Sequence, residues 1–285
     1  MDDIDFLNSN LSRQYLAKRL NLPLTHFQLP KSLFQYRAFK TFSLKNILTS
    51  KLTLVNPSKF DDLYDSYLHF DTSQTLKTDL DFIRLYGKLI GVDISEDWIS
   101  DRIEDNEKHE DYIAENLLTD LRVTCFSERS DNPLMWGLYA DNNKGFCAEY
   151  DFSNYMNKNL IFPINYSETP YDVTSEIESE KIIQAIILTS TIKDNRWKDQ
   201  KEWRLILPVP FLDPEDFLPI INVPNPKRII IGEKFSPKNL NTEEQRLLAE
   251  FRDFLATNEI PIYKCKRSRG NFTIEMVECD YNVLE

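Results

Sequence analysis

Two rhythms run along the 285-residue chain. Apolar positions return at helical spacing over residues 4–20, 44–50, 75–90, 95–119, 175–190 and 241–258. They alternate or cluster as in strands over 34–39, 52–55, 122–127, 145–150, 162–166, 202–207, 227–231, 260–264 and 272–276. Punctuation falls between them. Pro23 and Pro30 close the first helix region, and Ser43 is placed to cap the second helix. Asn56-Pro57-Ser58 and Asn142-Asn143-Lys144-Gly145 read as turns. Asp131 or Asn132, with Pro133 behind it, opens a short helix over 132–139. Asn241 or Thr242 leads into the last long helix.

Strands and helices do not alternate regularly, which disfavours a doubly wound parallel sheet. The pattern predicts an α+β fold with a mixed, mainly antiparallel sheet. Residues 1–30 read as a helical lead-in and 31–285 as one domain carrying a helical insertion at about 74–120. The carboxylate-rich stretch from Asp93 to Asp120 reads as the solvated face of that insertion.

Charge and composition narrow the field. Lys plus Arg number 34 against 46 Asp plus Glu, a formal charge of −12. That balance disfavours a protein that coats duplex nucleic acid. No apolar run approaches the roughly 18 residues of a membrane span, and the acidic start, Met1-Asp2-Asp3, is unlike a leader peptide. The expectation is a cytoplasmic protein with no membrane partner. The four cysteines form no C-x-x-C pair, and His26, His69 and His109 form no H-x-x-x-H. No metal site is assigned on that pattern. Cys125 and Cys147 read as buried thiols. Six glycines leave no Walker or Rossmann phosphate loop, and no G-x-S-x-G elbow exists.

Three segments carry the candidate chemistry. Tyr36-Arg37 precedes an Asn56–Asp65 run in which Ser58, Asp61, Asp62 and Asp65 follow a strand end. Arg37 there suits a phosphate or carboxylate; the same carboxylates also suit a helix cap. The second segment runs from Cys125 through Ser127 to Lys144-Gly145. In it Trp136 and Tyr139 are three apart on a helix face, able to stack a flat ring or to fill the core, and Lys144 can reach an anion. In the third, Glu202 and Arg204 share one strand face, as a catalytic carboxylate with its orienting partner or as a structural ion pair.

These segments, in the order Y-R-A-F, L-V-N-P-S-K-F-D-D-L-Y-D, C-F-S-E-R-S-D-N-P-L-M-W-G-L-Y-A, W-K-D-Q-K-E-W-R-L-I-L and R-I-I-I-G, resemble the bacterial family of unknown function DUF 2971 from about Phe34 to about Met276. The family usually has Asn-Asp-Pro where this chain reads Asp61-Asp62-Leu63, so a proline turn is lost at 63. The order of elements is also similar to ADP-ribosyltransferase folds. That likeness implies NAD as substrate, Arg37 at its phosphate or ribose, Tyr36, Trp136 or Tyr139 against the ring, and Glu202 as catalytic carboxylate beside developing positive charge. It points to an NAD-consuming transferase or glycohydrolase, of a toxin or phage-defence kind, with Ser58, Asp62, Asp65, Ser127, Lys144 and Arg204 around the substrate. Two readings stand beside it. One is a non-catalytic ligand-sensing or interaction module. The other is a Mg²⁺-dependent nuclease or phosphoesterase using Asp61, Asp62, Asp65 and Glu202, with the strip Lys264, Lys266, Arg267 and Arg269 tracking a backbone. The sequence names a small-molecule nucleotide as candidate partner and no protein partner.

Overall fold

A computed structural model describes residues 6–7, 9–60, 62–70, 121–208 and 220–285. The expected helical insertion at about 74–120 and Asp61 lie outside the described residues. The elements are α1 (Leu11–Arg19), β1 (Leu33–Arg37), α2 (Thr41–Leu48), β2 (Lys51–Thr53), β3 (Leu121–Ser127), α3 (Pro133–Leu138), β4 (Phe146–Tyr150), β5 (Ile161–Pro163) and β6 (Asn165–Ser167). There follow α4 (Thr174–Glu178), α5 (Ile182–Ser190), β7 (Ile192–Asp194), β8 (Glu202–Pro208), β9 (Ile220–Asn222), β10 (Arg228–Ile231), α6 (Thr242–Thr257), β11 (Ile262–Arg267) and β12 (Ile274–Cys279).

Among the described residues eight strands form the main sheet, in the order β12-β11-β10-β4-β1-β3-β8-β5. Only β10 and β11 run parallel, joined by the crossover through α6; the other neighbours are antiparallel. The fold is therefore α+β with a mixed, mainly antiparallel sheet, as the hydrophobic pattern predicts. Two small sheets, β2-β9 and parallel β6-β7, flank it.

The strand period of two sorts side chains between two cores. In β4, Phe146, Ala148 and Tyr150 enter the larger core, while Cys147 enters a smaller one with Phe34, Tyr36, Trp136, Ile230 and Cys265. Against the larger core lies α6, burying Leu247, Leu248, Phe251 and Leu255, which fall on one helix face. Its start is a capping box: Asn241 Oδ1 accepts from Glu244 N–H, and Glu244 Oε2 accepts from Asn241 N–H. The N-terminal segment joins the same core through Phe6, Leu7, Leu16 and Phe27. Arg19 and Tyr15 bind Glu176 of α4, at 2.7 Å and 2.5 Å.

Two expected elements are divided. The helix expected over 175–190 breaks at Glu180, whose φ of 58° is left-handed, giving α4 and α5. The strand expected over 162–166 breaks after Pro163, which has no N–H to extend the ladder. Its halves pair with different partners, β5 with β8 and β6 with β7.

Candidate active site

The sheet opens where β1 meets β3. Their ladder is a single pair, Phe34 with Ser127, although β3 continues alongside β8 for seven pairs and β1 alongside β4 for five. Gln35 spans the opening: its Nε2 donates to Thr124 Oγ1 at 3.0 Å and to Cys125 O at 3.4 Å. A side-chain amide thus supplies bonding that the ladder no longer gives. Beside the split lies a cleft of about 420 Å³, within the size range of small-molecule sites. β1 contributes Arg37, and the turn after β2 contributes Phe60, Asp62 and Asp65. Tyr139 enters from the end of α3, and Lys193, Trp197, Gln200 and Glu202 from the β7–β8 side.

Local sequence explains how these groups are held. Asn132 caps α3 by accepting from Leu134 N–H at 2.9 Å, and its Nδ2 donates to Asp199 O at 2.6 Å. That bond ties the helix bearing Tyr139 to the turn bearing Gln200. Ser127 Oγ donates to Gln200 O at 2.6 Å. Lys201, with φ 46°, turns the chain sharply into β8. Gly145 lies against the end of β1; a Cβ there would stand 2.1 Å from Arg37 O.

Four buried charges form the floor. Arg204 Nε donates to Glu202 Oε1 at 2.6 Å, and its two terminal nitrogens grip Asp65 at 2.7 Å and 2.6 Å. Ser66 Oγ and Ser190 O accept further bonds from Arg204, and the Phe60 ring lies 5.5 Å from the guanidinium carbon. Lys193 Nζ donates to Glu202 Oε2 at 2.7 Å and to Gln200 Oε1 at 3.0 Å, and lies 3.3 Å from Asp65 Oδ2. Two carboxylates and two cations balance. Neutrality and full bonding are what make burial of four charges tolerable. Burial alone would raise the Glu202 pKa, but Arg204 and Lys193 overrule it and bring it down to about 2. Burial likewise works against the charge on Lys193, yet Glu202 and Asp65 raise its pKa.

Arg37 stands apart from this economy. It is half-buried on the cleft wall, and among the described residues its side chain has no ion pair or hydrogen bond. Burial lowers its pKa from the ordinary guanidinium value. On the same cleft Asp62 Oδ1 accepts from Tyr64 N–H at 3.1 Å, while Asp62 Oδ2 is buried without a partner among the described residues.

The structure brings Arg37, Tyr36, Asp62, Asp65, Tyr139 and Glu202 to one cleft. Arg204 lies beneath it, fully buried. Other residues expected at the site lie elsewhere. Trp136 is 0% exposed, edge-on to Tyr36 at 5.2 Å, with its indole N–H given to Ser130 O at 2.7 Å. It fills the smaller core and presents no face to a ligand. The Tyr36 hydroxyl is committed to Arg129 O at 2.7 Å. Ser58 is exposed in its turn, Ser127 is sealed beneath Gln200, and Lys144 is exposed on the turn before β4; none of the three lines the cleft. Cys125, expected as a buried thiol, is partly exposed on the cleft wall, and burial still raises its pKa.

Lys193, Gln200 and Phe60 were not expected at the site. The available signal for the first is a lone lysine closing the uncharged stretch Ile182–Ile192. As for a metal-binding floor, Asp65 and Glu202 already spend their oxygens on Arg204 and Lys193. Among the described residues no group of three or more His, Cys, Asp or Glu is placed to hold a metal ion. Nor, among them, is any helix long and apolar enough to cross a membrane.

No curated protein and no solved structure matches the chain. A family model does. Residues 135–205, the stretch from α3 to the Glu202–Arg204 face of β8, match the model described as "Protein of unknown function (DUF2971)", and the family likeness is thereby supported over the segment that supplies Tyr139, Lys193, Gln200 and Glu202.

Proposed function

We propose that the cleft binds a small anionic ligand of the nucleotide class. The observation that carries this reading is the Arg37 guanidinium, unpartnered among the described residues, on the wall of a cavity whose buried cations are already paired and whose other lysine, Lys59, is exposed. An exposed arginine gains solvation from water; one crowded into a cleft is best satisfied by a phosphate or carboxylate held on its planar fork. Two further features favour a nucleotide over a simple anion. Asp62 lines the cleft, and its buried Oδ2, unbonded among the described residues, gains the partner it lacks if the turn swings it onto a hydroxyl, as a ribose supplies. Phe60, Tyr139 and Trp197 give the cleft flat apolar faces for a ring.

NAD is the first member of the class to test, and its cleavage is the catalytic form of the reading. Glu202 is a fixed carboxylate on the cleft, the group needed beside a ribose that develops positive charge. Both its oxygens are tied to cations, which weakens its outward field, so binding is tested before cleavage. In a calorimetric titration of NAD, ADP-ribose and adenosine monophosphate, wild type binds at least one of them. Arg37→Ala loses about tenfold to a hundredfold in affinity, the worth of hydrogen bonds to a charged group. Nicotinamide release that disappears in folded Glu202→Gln supports cleavage. Binding without release leaves a ligand-sensing module. No binding by folded wild type, or equal binding by Arg37→Ala, overturns the nucleotide reading.

A further inference from the structure

The hydrogen-bond chain behind the cleft has a direction, and the direction is fixed by its buried end. Lys193 carries three protons and no lone pair. Its ammonium faces Glu202 Oε2, Asp65 Oδ2 and Gln200 Oε1. Gln200 is itself buried, and a lysine can only donate, so the carbonyl end of the Gln200 amide must face Lys193. The NH₂ end then faces outward, where Gln200 Nε2 donates to Tyr139 Oη at 3.0 Å. Tyr139 is therefore an acceptor on its inner side. Its own O–H hydrogen cannot lie along that bond and has to turn away from Gln200, and among the described residues no acceptor takes it. Tyr139 is half-exposed where it lines the cleft, and burial raises its pKa, so the phenol keeps its proton.

We infer that Tyr139 is a dedicated hydrogen-bond donor to the ligand, and that the ligand carries a carbonyl oxygen on its ring. This deepens the nucleotide reading and rests on it. Tyr139 and Trp197 are joined at the back through Gln200 and Lys193, whose ammonium lies 5.5 Å from the Trp197 ring centre. The donor therefore sits at the aromatic part of the cleft, where a base or a carboxamide-bearing ring is held, while Arg37 takes the phosphate. Tyr139 is the specificity-determining residue, and Gln200 is a positioning residue that acts only through it. The class so defined comprises nucleotides with a ring-borne carbonyl or carboxamide, against those with a bare ring.

Two probes of equal charge and ring size differ in the carboxamide: nicotinamide mononucleotide, which carries it, and the pyridinium riboside 5′-monophosphate that lacks it and has no other acceptor on the ring. Wild type binds the first about fivefold to tenfold more tightly, the worth of one neutral hydrogen bond. Tyr139→Phe removes the preference. Gln200→Glu removes it too, without touching the ligand: one carboxylate oxygen still meets Lys193, and the other now accepts from Tyr139 and draws its hydrogen inward. The new charge is controlled by the double variant, in which Gln200→Glu changes the preference no further once Tyr139 is Phe. Circular dichroism and a melting curve establish that each variant is folded. A preference that survives Tyr139→Phe, or equal binding of the two probes by wild type, overturns the inference and leaves the nucleotide reading standing. Failure of wild type to bind either probe, or any of the nucleotides above, removes both.

Discussion

Replacing Arg204 with Met keeps most of the side-chain volume and deletes one charge of the buried quartet. Arg204 has no exposed surface and gives five hydrogen bonds, three of them to Asp65 and Glu202. Without it, two buried carboxylates share Lys193 alone. Breaking a buried pair costs about 3–5 kcal/mol, and two acids lose a partner here, so about 5 kcal/mol is expected. At about 2 °C per kcal/mol for a chain of this size, the melting temperature falls by about 10 °C at pH 7. The loss has a pH signature that simple core damage lacks. In wild type Glu202 is held down at about 2 from an ordinary 4.5. Its stabilising effect is present above about pH 4.5 and fades as pH falls toward 2. In Arg204→Met one of the two acids is pushed the other way and takes up a proton on folding, which favours the folded variant at low pH and penalises it as pH rises. The gap between the two proteins therefore narrows from pH 7 to pH 4. Thermal melts across that range test the idea. A gap that stays constant with pH, or a variant as stable as wild type at pH 7, would refute the charge-balanced floor.

Two further changes probe how the frame holds the site. Gly145→Ala places a Cβ 2.1 Å from Arg37 O, so β1 must shift; a loss of about 1–3 kcal/mol in urea unfolding is expected, as for overpacking, with a weaker Arg37-dependent affinity beside it. Asn241→Ala deletes the capping box of α6 at a cost of about 1 kcal/mol, a fall of about 2 °C in the melt, with nucleotide affinity unchanged because α6 contributes no residue to the cleft.

The strands that alternate cleanly were legible in the sequence, and so were the turns that need unusual backbone. R-V-T-C-F-S and E-W-R-L-I-L became β3 and β8, paired over seven residues. The expected turn at Asn142-Asn143-Lys144-Gly145 is a run of left-handed residues, Asp141, Asn142 and Asn143, that ends on the glycine packed against Arg37. The short pieces were not legible. β7 and β9 are three residues each, too short for a period to show, and both exist because a partner strand is waiting for them. The break between β5 and β6 depends on which strand each half meets, which local propensity does not encode.

The site was half legible for a related reason. Glu202 and Arg204 could be put on one face because a strand has period two. Arg37 could be named because a lone cation at a strand end is chemically conspicuous. What decides their roles lies at long range. Asp65 neutralises Arg204 across 139 positions of sequence, and Lys193 reaches back to Glu202 from a different strand. Trp136 shows the same limit from the other side. Its spacing from Tyr139 puts the two near one helix face, yet Trp136 is sealed and Tyr139 stands in the cleft. Three residues advance a helix by about 300°, leaving the pair some 60° apart. That angle is enough for one ring to enter the core while the other turns to the opening between β1 and β3. The split itself follows from a ladder that stops after Phe34 and Ser127, and Gln35, an unremarkable glutamine in a strand, is what bridges it. Replacing such a ladder with one side-chain amide leaves room for a ligand while Cys125 O keeps a partner, and the cleft opens here and not between β3 and β8, where every residue of β3 is paired.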